Sequence, residues 1–101
     1  MDWEIHIKHF GHYLKIERSL SQNSIEAYLH DAVLLRQFAS IYYPKVSPLK
    51  ITPDQLRAFL EYINTLGMSA HSQARILSGL KAFFKYLFFR THPVTVVAAM
   101  K

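Results

Sequence analysis

The chain has 101 residues, of which 50% are hydrophobic and 19% charged, and it has no cysteine. This length suits one domain with a single core, and so much apolar surface excludes a disordered segment. The lack of cysteine excludes disulfides, thiolate zinc sites and cysteine nucleophiles. No apolar stretch is long enough to cross a bilayer and the first ten residues lack a signal-peptide pattern, so we expect a cytoplasmic protein with no membrane partner.

The net charge of +5 lies entirely in the last forty residues. Residues 1–61 carry seven acidic and seven basic side chains, whereas residues 62–101 carry five basic side chains and no acidic one. This one-sided distribution indicates a polyanionic partner such as nucleic acid, although a short chain can also acquire it by chance.

A first amphipathic helix is predicted over residues 3–16. Its buried stripe consists of Trp3, Ile7, Phe10 and Leu14. A second helix is predicted from Ser21, which suits an N-cap, to about residue 42, with Leu20 and Ile25 as its hydrophobic staple. Its expected core positions are Ile25, Tyr28, Leu29, Ala32, Leu35 and Ala39, opposite Glu26, His30 and Gln37.

A loop containing Pro44 and Pro48 is expected next, because proline cannot continue the helix. A third helix is predicted to begin at Pro53, where Thr52 is the N-cap and Gln55 completes a capping box. Its expected staple is Ile51 with Leu56, and its expected core face is Leu56, Phe59, Leu60 and Ile63.

Gly67 is predicted to adopt the left-handed conformation after the third helix. Ser69 then suits the N-cap of a fourth helix that runs to about residue 89, and a short fifth helix from Pro93 is a weaker prediction because Val94–Val97 is β-branched. No internal repeat or strand-like alternation occurs in the sequence. These patterns predict an all-α fold, a four- to five-helix bundle with short connections.

The fourth helix has two distinct faces when its residues are placed at about 100° intervals. The cationic face carries His71, Arg75, Ser78, Ala82 and Lys85, and the apolar face centres on Leu80 with Ile76, Leu77, Phe83, Phe84 and Leu87. Small residues, Ser78 and Ala82 at its centre and Ser72 and Gly79 on one flank, are expected to allow close approach of a large ligand. No acid on this helix neutralises the cations, unlike an ordinary solvated surface, so the face favours contact with a DNA major groove.

The second helix opens with the polar residues Ser21, Gln22, Asn23 and Ser24. The amides of a first helical turn, together with the Ser24 hydroxyl and the Asn23 amide, suit a DNA phosphate, although Ser21 also fits a simple capping role. The fourth helix repeats this chemistry with Ser69, His71 and Ser72 at its start.

No catalytic residue, metal or cofactor is expected. His6, His9 and His12 recur every three residues, so they drift by about 60° per step and cannot all face one metal. The three glycines form no phosphate loop, and no nucleophile elbow accompanies the serines.

The chain resembles the core-binding, SAM-like domain of tyrosine recombinases, the phage integrase and Xer family. In the first half the resemblance lies in Phe10, Tyr13-Leu14, Glu17-Arg18-Ser19-Leu20-Ser21-Gln22-Asn23-Ser24-Ile25, Tyr28 and Asp31. In the second half it lies in Ile51-Thr52, Gly67-Met68-Ser69, Ser72, Arg75, Leu77-Ser78-Gly79-Leu80-Lys81, Phe83-Phe84, Tyr86-Leu87 and His92-Pro93, where the family often has Asn-Pro.

The resemblance implies that residues 1–91 are a helical DNA-binding domain and that residues 92–101 begin a linker, or short helix, towards a catalytic domain that would cleave a strand through a phosphotyrosine. It implies double-stranded DNA and other recombinase protomers as partners, with the second and fourth helices crossing the major groove. The implied DNA-contacting residues are Asn23, Ser24, Ala27, His30, His71, Ser72, Arg75 and Ser78, to which the charge pattern adds Lys81 and Lys85. Ser24 and Ser72 depart from the usual threonine, and Glu26 places a negative charge close to this surface.

A helical protein-interaction module is the alternative function. In that interpretation Phe88, Phe89 and the apolar residues 94–100 dock on a partner and mediate oligomer assembly. The sequence does not specify a target DNA site.

Overall fold

The computed structural model describes residues 2–91, with side chains for residues 3–88. Four helices account for most of this range: α1 (Asp2–Ile16), α2 (Gln22–Tyr42), α3 (Pro53–Thr65) and α4 (Ala70–Thr91). The all-α prediction is confirmed, and α4 is two residues longer than predicted. The fifth helix expected from Pro93 lies outside the described residues. Within residues 2–91 no helix combines the length and apolarity needed to span a membrane.

The helix starts follow the local signals. Ser21 caps α2 by accepting a hydrogen bond from the Ser24 amide at 3.2 Å. Thr52 accepts from the Gln55 amide at 3.1 Å, while the Gln55 side chain accepts from the Thr52 amide at 2.9 Å, which completes the predicted capping box. Gly67 has a φ of 81°, so the left-handed conformation predicted after α3 is also confirmed.

The core is built around aromatic side chains. Phe10 of α1 and Phe83 of α4 are fully buried and pack edge to face, with ring centroids 5.2 Å apart. Phe38 of α2 packs in the same way on the buried Phe59 of α3 at 5.5 Å. The predicted stripe of α1 is buried in full: Trp3, Ile7, Phe10 and Leu14.

Hydrogen bonds from two side chains, Trp3 and Gln73, hold connections against the helices. Trp3 Nε1 donates to the carbonyl of Val46 at 2.9 Å, which joins the start of α1 to the loop between α2 and α3. Gln73 Nε2 donates to Asn64 Oδ1 at 3.0 Å and to the carbonyl of Met68 at 2.9 Å, which fixes the turn between α3 and α4.

Some predicted core positions are not fully buried. Leu77, expected on the apolar face of α4, is 37% exposed, and Phe84 is half-buried. The same intermediate burial applies to Tyr28, Leu29, Leu56 and Leu60. The prediction that Leu77 is a core residue is therefore wrong. The reason is that α4 packs far more extensively on α2 than on α3, and a groove of about 320 Å³ lies between α3 and α4.

Candidate nucleic-acid interface

The predicted DNA-contacting residues of α2 and α4 all lie at the surface to some degree. Ser24 and Ala27 are half-buried, and the others are exposed: Asn23, His30, His71, Ser72, Arg75, Ser78, Lys81 and Lys85. We call Ala27, His30, His71, Ser72, Arg75 and Ser78 the crossing face, because each lies within about one helical turn of Asp31 on α2 or of Arg75 on α4.

An ion pair at the centre of the crossing face joins the two helices. Arg75 Nη2 of α4 donates a hydrogen bond to Asp31 Oδ1 of α2, across 44 residues of sequence. The Asp31 side chain is fully buried, whereas 44% of the Arg75 side chain is exposed. Asp31 therefore lies beneath the surface and Arg75 at it.

Burial raises the pKa of Asp31 above its ordinary value of 3.8, because a carboxylate loses its hydration in the interior. The hydrogen bond from Arg75, its positive charge and the charge of His30 all oppose that rise. The crossing face thus surrounds one buried acid, Asp31, which has two basic neighbours, Arg75 and His30.

Gly79 allows this arrangement. A Cβ placed on Gly79 would overlap Asp31 Oδ2 and lie 2.8 Å from Asp31 Cγ. The sequence predicted that Gly79 and Ala82 would open α4 to a ligand, and for Gly79 this prediction is wrong. Gly79 is buried against Asp31, and Ala82 is half-buried against the core.

The sequence also indicated that no acid neutralises the cations of α4. For Arg75 this is wrong, because α2 supplies Asp31. Asp31 stands three residues after Tyr28 and four before Leu35, so helical spacing places it on the stripe predicted to be buried. A carboxylate on such a stripe requires a partner, and that signal was available in the sequence.

Both α2 and α4 begin with the same serine arrangement. The Ser69 hydroxyl accepts from the Ser72 amide at 3.1 Å, as Ser21 does from the Ser24 amide. In each pair the first hydroxyl also lies 3.1 Å from the second. Ser21 and Ser69 are therefore caps, and the hydroxyls of Ser24 and Ser72 are engaged with them. The starts of α2 and α4 share one chemistry, as predicted.

The residues at the start of α2 are set apart from the ion pair. Asn23 and Ser24 precede Asp31 by about two helical turns, or roughly 11 Å along the axis. Glu26, the one acidic residue among residues 21–30, is exposed near the start of α2. Its carboxylate accepts a hydrogen bond from the neutral side chain of Gln22 at 3.1 Å.

The two lysines of α4 lie away from the ion pair. Lys81 lies about 120° around the helix from Arg75 and lines the groove between α3 and α4. Lys85 is exposed two turns after Ser78 on the same side of α4. Arg75 thus lies at the crossing with α2, whereas Lys81 and Lys85 lie elsewhere on α4.

Residues 7–90 match the family described as "Phage integrase, N-terminal SAM-like domain". The chain belongs to this family. The resemblance identified from the sequence is therefore confirmed, and the four helices are those of an integrase SAM-like domain.

Relatives of this SAM-like domain are tyrosine recombinases. The chain is 33% identical to tyrosine recombinase XerD of Chlorobaculum tepidum over 85 residues, which cover 84% of the chain and 27% of that protein. It is 31% identical to tyrosine recombinase XerC of Thermodesulfovibrio yellowstonii over 102 residues, covering 97% of the chain and 32% of that protein. The chain spans about a third or less of the length of these curated relatives, and no solved structure matches it.

Proposed function

We propose that this SAM-like domain binds duplex DNA as the gripping domain of a tyrosine recombinase, and that a separate domain performs strand cleavage and joining. The observation that carries the proposal is the crossing face, where two helices meet and an exposed arginine is held at their junction. The acid-free sequence of α4 and the recombinase relatives support it.

In this proposal α2 and α4 enter or flank the major groove, which admits a helix. Arg75 contacts a base edge or a phosphate, and Lys81 and Lys85 contact phosphates. The remaining proposed contacts are Asn23, Ser24, Ala27, His30, His71, Ser72 and Ser78. Because one module buries only about 600–1,000 Å² on DNA, we expect modest affinity from this domain alone.

Salt dependence tests the proposal. Duplexes selected from a random library would be titrated with the protein by fluorescence anisotropy at several salt concentrations. The logarithm of the affinity should fall with the logarithm of salt by about 0.9 for each phosphate contacted.

The matched variants are Lys85→Ala on α4 and Lys8→Ala on the exposed side of α1. Lys85→Ala should weaken binding and lower the salt slope by about one contact, and Lys8→Ala should change neither. Binding without salt dependence, or equal effects of the two variants, would contradict the proposed interface.

A protein-interaction module is a second candidate. Of the docking residues predicted for it, Phe88 is half-buried, and Phe89 and residues 94–100 lie outside the described side chains. The groove between α3 and α4 favours this function instead. Apart from Lys81, the groove is lined by apolar side chains, including the exposed Leu77. Sedimentation of the protein alone distinguishes the two functions, since oligomers without any DNA binding would support the interaction module. Both functions hold together if the protein binds DNA and also self-associates.

A further inference from the structure

Asp31 is the one fully buried charged residue among the side chains described for residues 3–88. Its Oδ1 accepts from Arg75, while its Oδ2 is buried without a hydrogen-bond partner. A buried carboxylate that is only half satisfied is a poor source of stability, because its desolvation cost rivals the attraction to its partner. Fold stability alone therefore does not explain this residue.

Both oxygens of the carboxylate face α4. Oδ1 accepts the hydrogen bond from Arg75, and Oδ2 lies against the buried Gly79. Gly79 follows Arg75 by one turn of α4, so both contacts belong to the same side of that helix. Asp31 has little freedom to move, and neither has the guanidinium atom bound to it.

We propose that Asp31 is a positioning residue that orients Arg75 for its contact with DNA. This inference rests on the proposed function above. A guanidinium carries five N–H donors in a planar fork, and Asp31 engages one nitrogen while nearly half of the arginine side chain stays exposed. The other N–H donors of the guanidinium are not used by this hydrogen bond. An arginine that is already ordered loses less rotamer freedom on binding than one that moves freely.

Simple electrostatics predicts the opposite effect. Removing the charge of Asp31 makes the crossing face more positive, which on charge alone strengthens DNA binding. If the orientation of Arg75 matters more than total charge, the same substitution weakens DNA binding, because Arg75 loses the partner that orients it. Whether DNA affinity falls or rises therefore distinguishes a positioning role of Asp31 from a purely electrostatic one.

The test measures binding of the 101-residue chain to a labelled duplex of about three helical turns, taken from the random-library selection, at slightly alkaline pH. Asp31→Asn should weaken binding by about tenfold, the scale of losing one well-oriented arginine contact. The matched control is Glu26→Gln, which removes the same charge from an exposed position of α2 and should leave affinity equal or slightly higher. Thermal unfolding followed by circular dichroism shows whether each variant is folded.

A double-variant comparison excludes a merely structural effect. If Asp31 acts through Arg75, then Asp31→Asn should cause no further loss of affinity in a protein that already carries Arg75→Ala. An equal loss in both backgrounds would show that Asp31 supports only the fold and would overturn the inference.

Arg75→Lys decides the question if Asp31→Asn does not fold, because it keeps the positive charge beside Asp31 but lacks the fork. We expect it to lose as much affinity as Arg75→Ala. Wild-type affinity in Arg75→Lys, or tighter binding by Asp31→Asn, would overturn the positioning role while leaving DNA binding intact. Failure of the wild-type chain to bind any duplex would instead overturn the proposed function, and this inference with it.

Discussion

The two sides of α4 are packed in opposite ways. Towards α2, the helix presents Gly79 and an ion pair, and the buried Asp31 side chain fills the space that a methyl group on Gly79 would need. Towards α3, it presents Leu77 and Phe84, which stay partly exposed beside a groove of about 320 Å³. The side of α4 with small and polar residues is thus tightly packed on α2, whereas the side with large apolar residues borders an open groove next to α3. Apolar area alone thus does not decide how firmly a helix is held.

The helices α2 and α3 therefore have different roles in the packing of α4. The crossing with α2 sets the position of α4 and brings Arg75 to the surface. The helix α3 packs on α2 through the rings of Phe38 and Phe59, and it leaves one side of α4 accessible. The following substitutions test that contrast.

Gly79→Ala should have the largest effect on stability. Helix propensity alone favours alanine by about 1 kcal/mol, but the added methyl would overlap the Asp31 carboxylate. We expect a net loss of about 1–3 kcal/mol in the free energy of unfolding, as for other overpacked cores. Urea unfolding followed by circular dichroism measures it.

Ser78→Ala is the control for Gly79→Ala, because it changes the neighbouring exposed position and adds no atom to the crossing. Its effect should stay within about 0.5 kcal/mol. A Gly79→Ala protein more stable than wild type would show that the crossing has room for a side chain, and the contrast between the two sides of α4 would fail.

Leu77→Ala should have a smaller effect, below about 1.5 kcal/mol, because Leu77 is 37% exposed and lines an open groove. The same urea experiment measures it. A loss above about 2 kcal/mol, as for a buried leucine, would show that the α3 side is packed as tightly as the α2 side.

The smallest expected effect is in the pH dependence of stability, because burial and the nearby charges of Arg75 and His30 act on Asp31 in opposite directions. Its pKa is raised in the folded protein, so between 3.8 and the raised value the folded state binds more protons than the unfolded chain. As pH rises through that window, the wild type should lose stability relative to Asp31→Asn. Urea midpoints of the two proteins over a pH series measure the difference, and the opposite slope would show that the pairing with Arg75 outweighs burial.

The sequence predicted the elements well where the signals are local. The caps at Ser21 and Thr52, the left-handed Gly67 and the buried stripe of α1 depend on residues within a few positions of one another. Their geometry follows from helix periodicity and unsatisfied amides, which need no knowledge of the rest of the fold.

The candidate site could be predicted only as a set of residues on two helices. The contact between Asp31 and Arg75 depends on how α2 and α4 cross, and no periodicity within one helix determines that crossing. For the same reason Gly79 was expected at the ligand surface although it lies against Asp31, and Leu77 was expected in the core although α3 does not cover it.

The hydrogen bond from Trp3 to the loop carbonyl gives the protein a built-in optical probe. Trp3 is the only tryptophan, it is buried, and its ring stacks 6.5 Å from that of Phe83. Its emission therefore reports whether α1, α4 and the α2–α3 loop are assembled. Because Trp3 lies outside the crossing face, fluorescence from the protein can follow unfolding while a dye on the DNA follows binding, and the two events can be read separately in one sample.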